Sequence, residues 1–100
     1  MRMTRELSFV WDERKNRQNQ RKHGVSFEEA QSVFFDEEAR EFFDPDHSKD
    51  EDRFLLVGRS YKLRVLLVCH CFRESDRVIR IISARRATKA ERSVYPRGRE

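Results

Sequence analysis

Apolar positions along this chain come in short runs divided by charged stretches. Ser8 to Trp11 reads as a first strand, and Asp12 follows as an N-cap for a helix that ends at Gly24. Glu13 to His23 contains no aliphatic or aromatic side chain, so no hydrophobic stripe can hold that helix down. It must be exposed or tied by polar contacts, for which Asp12, Lys15 and Asn19 are the candidates. Ser26 and Glu29 have the spacing of a capping box and open a second helix running to about Phe35. Its Phe27, Ala30, Val33 and Phe34 share one face and should pack on a sheet. Residues 36–43 predict a strand ending at Phe42 and Phe43, and Asp44-Pro45-Asp46-His47-Ser48 turns the chain. Three runs rich in aliphatic and β-branched residues follow, Arg53 to Arg59, Lys62 to Phe72 and Arg77 to Ala84, and their short connections predict an antiparallel meander. Thr88 and Glu91 repeat the capping-box spacing and open a short last helix before Pro96. The order β-α-α-β-β-β-β-α predicts one α+β domain over residues 1–100, a small antiparallel sheet with helices mainly on one face and a tail from about residue 96.

Strand alternation assigns faces. Leu63, Val65, Leu67, Cys69 and Cys71 form the expected core face of the long strand, leaving Lys62, Arg64, Leu66, Val68 and His70 opposite. A two-residue turn at Ser60-Tyr61 would set Arg59 across from Lys62. With Ile79 and Ile81 in the core, Arg80 and then Arg86 join them, so Arg59, Lys62, Arg64, Arg80 and Arg86 are expected on one basic face.

Charge sharpens that picture. Residues 36–52 carry 2 basic and 9 acidic groups, while residues 53–100 carry 13 and 4, so an overall charge of +4 conceals local nets of −7 and +9. Arginine gathered in one half of a small domain suits a phosphate-binding surface, because neutralised phosphates release counterions. The acidic segment reads as a solvated loop or a temporary counter-charge. One hundred residues exclude a multidomain enzyme. No run approaches the roughly 20 apolar residues of a membrane span. Met1 to Leu7 lacks the apolar run of a signal peptide, so a cytoplasmic location is expected.

Metal sites fail on spacing. Cys69 and Cys71 lie about 6.7 Å apart on one strand face and have no further ligands at matching spacing, so they read as reduced core thiols. The Asp44, Asp46, Ser48, Asp50 series has Lys49 where a calcium loop requires Gly and Leu55 where it requires Glu. No metal or other cofactor is expected. Arg64 and Arg80, flanked by aliphatic residues in mid-strand, are costly unless each guanidinium meets a carboxylate or a phosphate. Because Arg cannot give up its proton, acid or base work falls to His23, His70 and Lys22.

Several segments together resemble the BrnT toxin family. They are Phe9-x-Trp11-Asp12, Lys15 and Asn19, Lys22-His23-Gly24-Val25-Ser26-Phe27-Glu28-Glu29-Ala30, Val33-Phe34-x-Asp36 and Arg80-Ile81-Ile82-Ser83-Ala84-Arg85-x-Ala87. The resemblance implies a RelE-like fold and a ribonuclease toxin of a type II toxin–antitoxin pair that inhibits translation and growth. It also implies neutralisation by a BrnA-like ribbon-helix-helix antitoxin, with operator DNA reached only through that partner. Arg64 and Arg80, with His23, Lys22 and His70, then become the expected catalytic set for metal-independent cleavage by the 2′-hydroxyl. Arg59, Lys62, Arg85 and Arg86 become the expected RNA-binding set. A non-catalytic RNA-binding module and a pure protein-interaction subunit are the alternatives.

Overall fold

The computed structural model describes residues 7–96; residues 1–6 and the expected tail beyond Pro96 lie outside the described residues. Strand β1 (Ser8–Val10) leads into helices α1 (Glu13–His23) and α2 (Phe27–Val33). Strand β2 (Arg40–Phe43), a 3-10 turn at Pro45–His47, and strands β3 (Phe54–Arg59), β4 (Val65–Arg73) and β5 (Val78–Arg86) follow. A short helix α3 (Lys89–Arg92) ends the series. The five strands form one sheet in the order β1-β5-β4-β3-β2. The meander is antiparallel as expected, whereas β1 joins the edge of β5 in parallel, so the sheet is mixed.

Local signals account for most boundaries. The Asp12 side chain accepts from the Arg14 and Lys15 amides, and Gly24 closes α1 at φ 70°, a left-handed conformation that suits glycine. Thr88 and Glu91 form the complete capping box of α3. At α2 only half of the box exists. Ser26 Oγ accepts from the Glu29 amide, but the Glu29 carboxylate turns into the protein instead of back to Ser26. Residues 36–39 are a turn rather than strand, because Asp36 Oδ1 and its carbonyl accept the Glu38 and Ala39 amides.

Helix α1 is held by two buried asparagines. Asn19 Nδ2 donates to the carbonyls of Val25 and Ala84, and its Oδ1 accepts from the Ala84 amide of β5. Asn16 Oδ1 accepts from the Phe27 amide, and its Nδ2 donates to Glu28. These contacts do for α1 what an apolar stripe does for α2, whose Phe27, Ala30 and Val33 are fully buried against the sheet.

The sheet faces are the reverse of the expectation for β4. Leu66, Val68 and His70 lie in the core beneath the helices, with Ile79, Ile81 and Ala84 of β5. Val65, Leu67 and Cys69 are only half-buried on the side the two helices leave uncovered, and of the expected core face Cys71 alone is buried. Both faces of β4 are apolar, so the helix layer, rather than the strand's own alternation, selects the core. The turn preceding β4 also differs. Ser60 and Arg64 close a five-residue connection in which the Ser60 amide donates to the Arg64 carbonyl at 2.9 Å and Leu63 adopts φ 64°. Arg59 therefore pairs with Val65, not Lys62, and Leu63 is 75% exposed instead of core.

One irregularity decides where the β5 arginines point. Cys69 pairs with Ser83 and His70 with Ile81, so Ile82 is an extra residue. Odd-numbered Ile79 and Ile81 face the helices before this bulge, and even-numbered Ala84 does so after it. Arg80 and Arg85, of opposite parity, consequently reach the same uncovered face.

Candidate active site

The uncovered sheet face carries a cleft of about 230 Å³. Its floor is Leu55, Leu67, Cys69 and Ile82, and Arg53, Arg85, Ser83, Asp44 and His47 surround it. The loop before β3 is pinned across its base: the Asp44 amide donates to the Arg53 carbonyl at 2.8 Å, and Ser48 Oγ accepts from the Arg53 amide at 2.9 Å. This closure brings His47 and Arg53, six residues apart, to one wall. Asp44 is buried, and its Oδ2 lies 3.0 Å from His47 Nδ1, while the imidazole is 67% exposed.

The guanidiniums here are lightly restrained. Glu51, from the acidic segment, stands 3.5 Å from both Arg53 and Arg80. These are long, half-exposed pairs of small net worth, consistent with the expected counter-charge. Arg53 Nε is buried and has no partner among the described residues. Arg85 is held more firmly, with Nη1 and Nη2 each 2.8 Å from the two Glu91 oxygens. That fork, seconded by the Thr88 amide, holds the Glu91 carboxyl down at about 2 despite partial burial. Burial raises the Cys69 and Cys71 thiols above their ordinary range, which keeps both neutral.

The expected catalytic set is dispersed. Arg80 occupies the uncovered face. Arg64 lies on the other side of the sheet, where its Nε donates to Glu29 Oε2 at 3.0 Å, its Nη2 donates to Glu29 Oε1, and Nη2 also meets the Gly24 carbonyl at 3.1 Å. Its partner is thus a fully buried carboxylate of α2, not the acidic segment. Burial pushes the Glu29 carboxyl up, but hydrogen bonds from Arg64 and Ser60 outweigh that and hold it below the usual carboxylate range. The Gly24 contact ties the C-cap of α1, the residue after Lys22 and His23, to the Arg64 guanidinium.

His70 is wholly enclosed. Its Nδ1 meets the Val68 carbonyl and its Nε2 meets Glu41 Oε2 at 2.9 Å, while Phe34, Phe54 and Phe72 pack around the ring. Among the expected RNA-binding residues, Arg59 is exposed beside the Tyr95 ring, Lys62 sits in the β3–β4 connection, and Arg86 is exposed opposite Leu66 on the helix side. Of that set, only Arg85 lines the cleft. Sequence reasoning missed Arg53, His47 and Ser83 as neighbours of one another. The i, i+3 spacing of Asp44 and His47 inside a turn was the available signal.

These features define a small α+β protein with helices on one side of its sheet and an arginine-edged cleft on the other. Residues 11–91 match the profile of the ribonuclease toxin, BrnT, of type II toxin–antitoxin systems, and the chain belongs to that family. Its structure is similar to the crystal structure of the Brucella abortus ribonuclease toxin BrnT, with a TM-score of 0.63 and 24% identity, covering 83% of this chain and 99% of that one. This second likeness is one of fold. No curated protein matches the chain.

Proposed function

We propose that this toxin cleaves RNA without a metal, by attack of a 2′-hydroxyl on its adjacent phosphate. The products are a 2′,3′-cyclic phosphate and a 5′-hydroxyl, and the cleavage stops translation and growth in the cytoplasm. The observation that carries this reading is the cleft itself. Arg53 and Arg85 edge the cleft, and Arg80 shares its uncovered face and the Glu51 carboxylate with Arg53, so the apolar floor can receive a base or ribose while guanidiniums meet the phosphate. Preorganised cations there oppose the charge that grows on the phosphorane, and placement plus electrostatics supplies most of such a barrier reduction. Arg64 acts at a distance, by locking α2 to the β3–β4 connection. A ribbon-helix-helix antitoxin of the BrnA type neutralises the toxin by covering the cationic face, and the pair meets operator DNA through the antitoxin.

A second placement of the chemistry is favoured by one contact. Gly24, which accepts from Arg64, directly follows Lys22 and His23, so the backbone at the end of α1 meets a guanidinium on the helix side. The two placements are separated by incubating antitoxin-free protein with end-labelled RNA in EDTA, with and without ribosomes. Arg80→Ala and Arg85→Ala should each abolish cyclic-phosphate fragments, while the pair Lys22→Ala, His23→Ala leaves cleavage intact. The opposite pattern moves the site to the α1 terminus. RNA bound but never cut identifies a binding module.

A further inference from the structure

We propose that His47 is the catalytic base of the cleft and Asp44 its positioning residue, an assignment that rests on the ribonuclease reading above. The chain has three histidines. His70 is fully buried with both ring nitrogens engaged. His23 ends α1, on the helix side of the sheet. His47 alone lines the arginine cleft, and its ring is open to solvent.

Three details make this pair more than a surface contact. Asp44 is 8% exposed and its Oδ2 faces His47 Nδ1 at 3.0 Å, so the carboxylate holds the proton on Nδ1 and leaves the Nε2 lone pair available. The loop that carries the pair is closed by the Asp44–Arg53 and Ser48–Arg53 bonds, which couple the imidazole's position to that of a guanidinium on the same wall. Arg53 keeps at the site an Nε donor that has no partner among the described residues. Base, orienting carboxylate and phosphate-binding cations thus converge on one polar rim over an apolar floor, the convergence expected of an active site.

The step balances with RNA and water alone. His47 Nε2 removes the proton of the 2′-hydroxyl as the 2′ oxygen forms its bond to phosphorus. Arg53 and Arg85 face the phosphoryl oxygens, the bond from phosphorus to the 5′ oxygen breaks, and that oxygen takes a proton from water. The imidazolium then returns its proton to solvent. No electron transfer or co-reactant is involved.

The test uses the purified full chain on end-labelled RNA, with and without ribosomes, comparing wild type with His47→Ala and Asp44→Asn. His47→Ala, an exposed truncation, should keep the wild-type urea midpoint and lose about 10²–10⁴-fold in kcat. Added imidazole should restore part of that loss, which a merely structural role would not allow. Asp44→Asn should lower kcat with KM held. Unchanged cleavage by His47→Ala, or a loss that imidazole leaves untouched, overturns the assignment while the ribonuclease reading stands. A wild type that cuts neither RNA nor ribosome-bound RNA removes both.

Discussion

Replacing Arg64 by alanine should cost stability before it costs chemistry. The substitution removes two N–H···O bonds to Glu29 and one to the Gly24 carbonyl. It leaves a carboxylate whose side chain is 1% exposed with Ser60 Oγ, 2.6 Å away, as its remaining hydrogen-bond donor. Removing one partner of a fully buried pair costs about 3–5 kcal/mol. Arg64 is 24% exposed, so water reaches part of the vacated space, and about 2–3 kcal/mol is the expected loss. In urea this corresponds to a midpoint lower by roughly 1–2 M at unchanged slope. Acid should narrow the gap. In the wild type the Glu29 carboxyl titrates below its ordinary value of 4.5, so its contribution is full above that value and is lost as pH falls through the depressed one. In the variant burial dominates, the carboxyl titrates higher, and its protonation relieves the stranded charge. Urea titrations of both proteins at pH 7 and pH 4 measure this. A loss under about 0.5 kcal/mol, or a gap that does not change with pH, refutes the account of Arg64 as the partner that keeps Glu29 buried.

Asn19→Ala strips three hydrogen bonds from a helix with no apolar stripe and leaves Val25 and Ala84 backbone groups unpaired; a loss of about 3 kcal/mol in urea denaturation is expected. Glu91→Gln releases the Arg85 fork, so RNA affinity should rise and its salt dependence steepen by about one phosphate contact, read from filter binding over a salt series. Because Glu91 titrates at about 2, the intact pair contributes fully above the ordinary carboxylate range and is lost only as pH falls towards 2; RNA affinity of the wild type should therefore show no Glu91-linked rise at pH 4.

What was legible in the chain was whatever local chemistry decides. The Asp12 and Thr88 caps, Gly24, the amphipathic α2 and the three meander runs reappear within a few residues of their expected bounds. The polar α1 was readable as a helix needing polar anchors, and Asn19 is one of them. What stayed hidden depends on partners distant in sequence. Leu66 and Leu67 are equally apolar, and only the helix layer above Leu66 makes that residue core. The fate of the Glu29 carboxylate is decided by Arg64, 35 residues on. Arg85 could be placed with Arg80 only by knowing that Ile82 is unpaired. His47 looked like a turn residue because its neighbours in the cleft come from β3, β4 and β5.

The bulge at Ile82 gives strand β5 something like a reading frame. On the proposed function, point changes at Arg80 or Arg85 would alter how strongly one surface holds an anion. Loss of the single extra residue would instead thread the side chain at position 85 through the sheet to the helix side, leaving its chemistry intact and its address wrong. Relatives of this chain should therefore tolerate exchanges between basic residues along β5 far more readily than one-residue gaps. A gap falling there in a comparison of two family members signals a chain whose arginines lie on opposite sides of the same sheet.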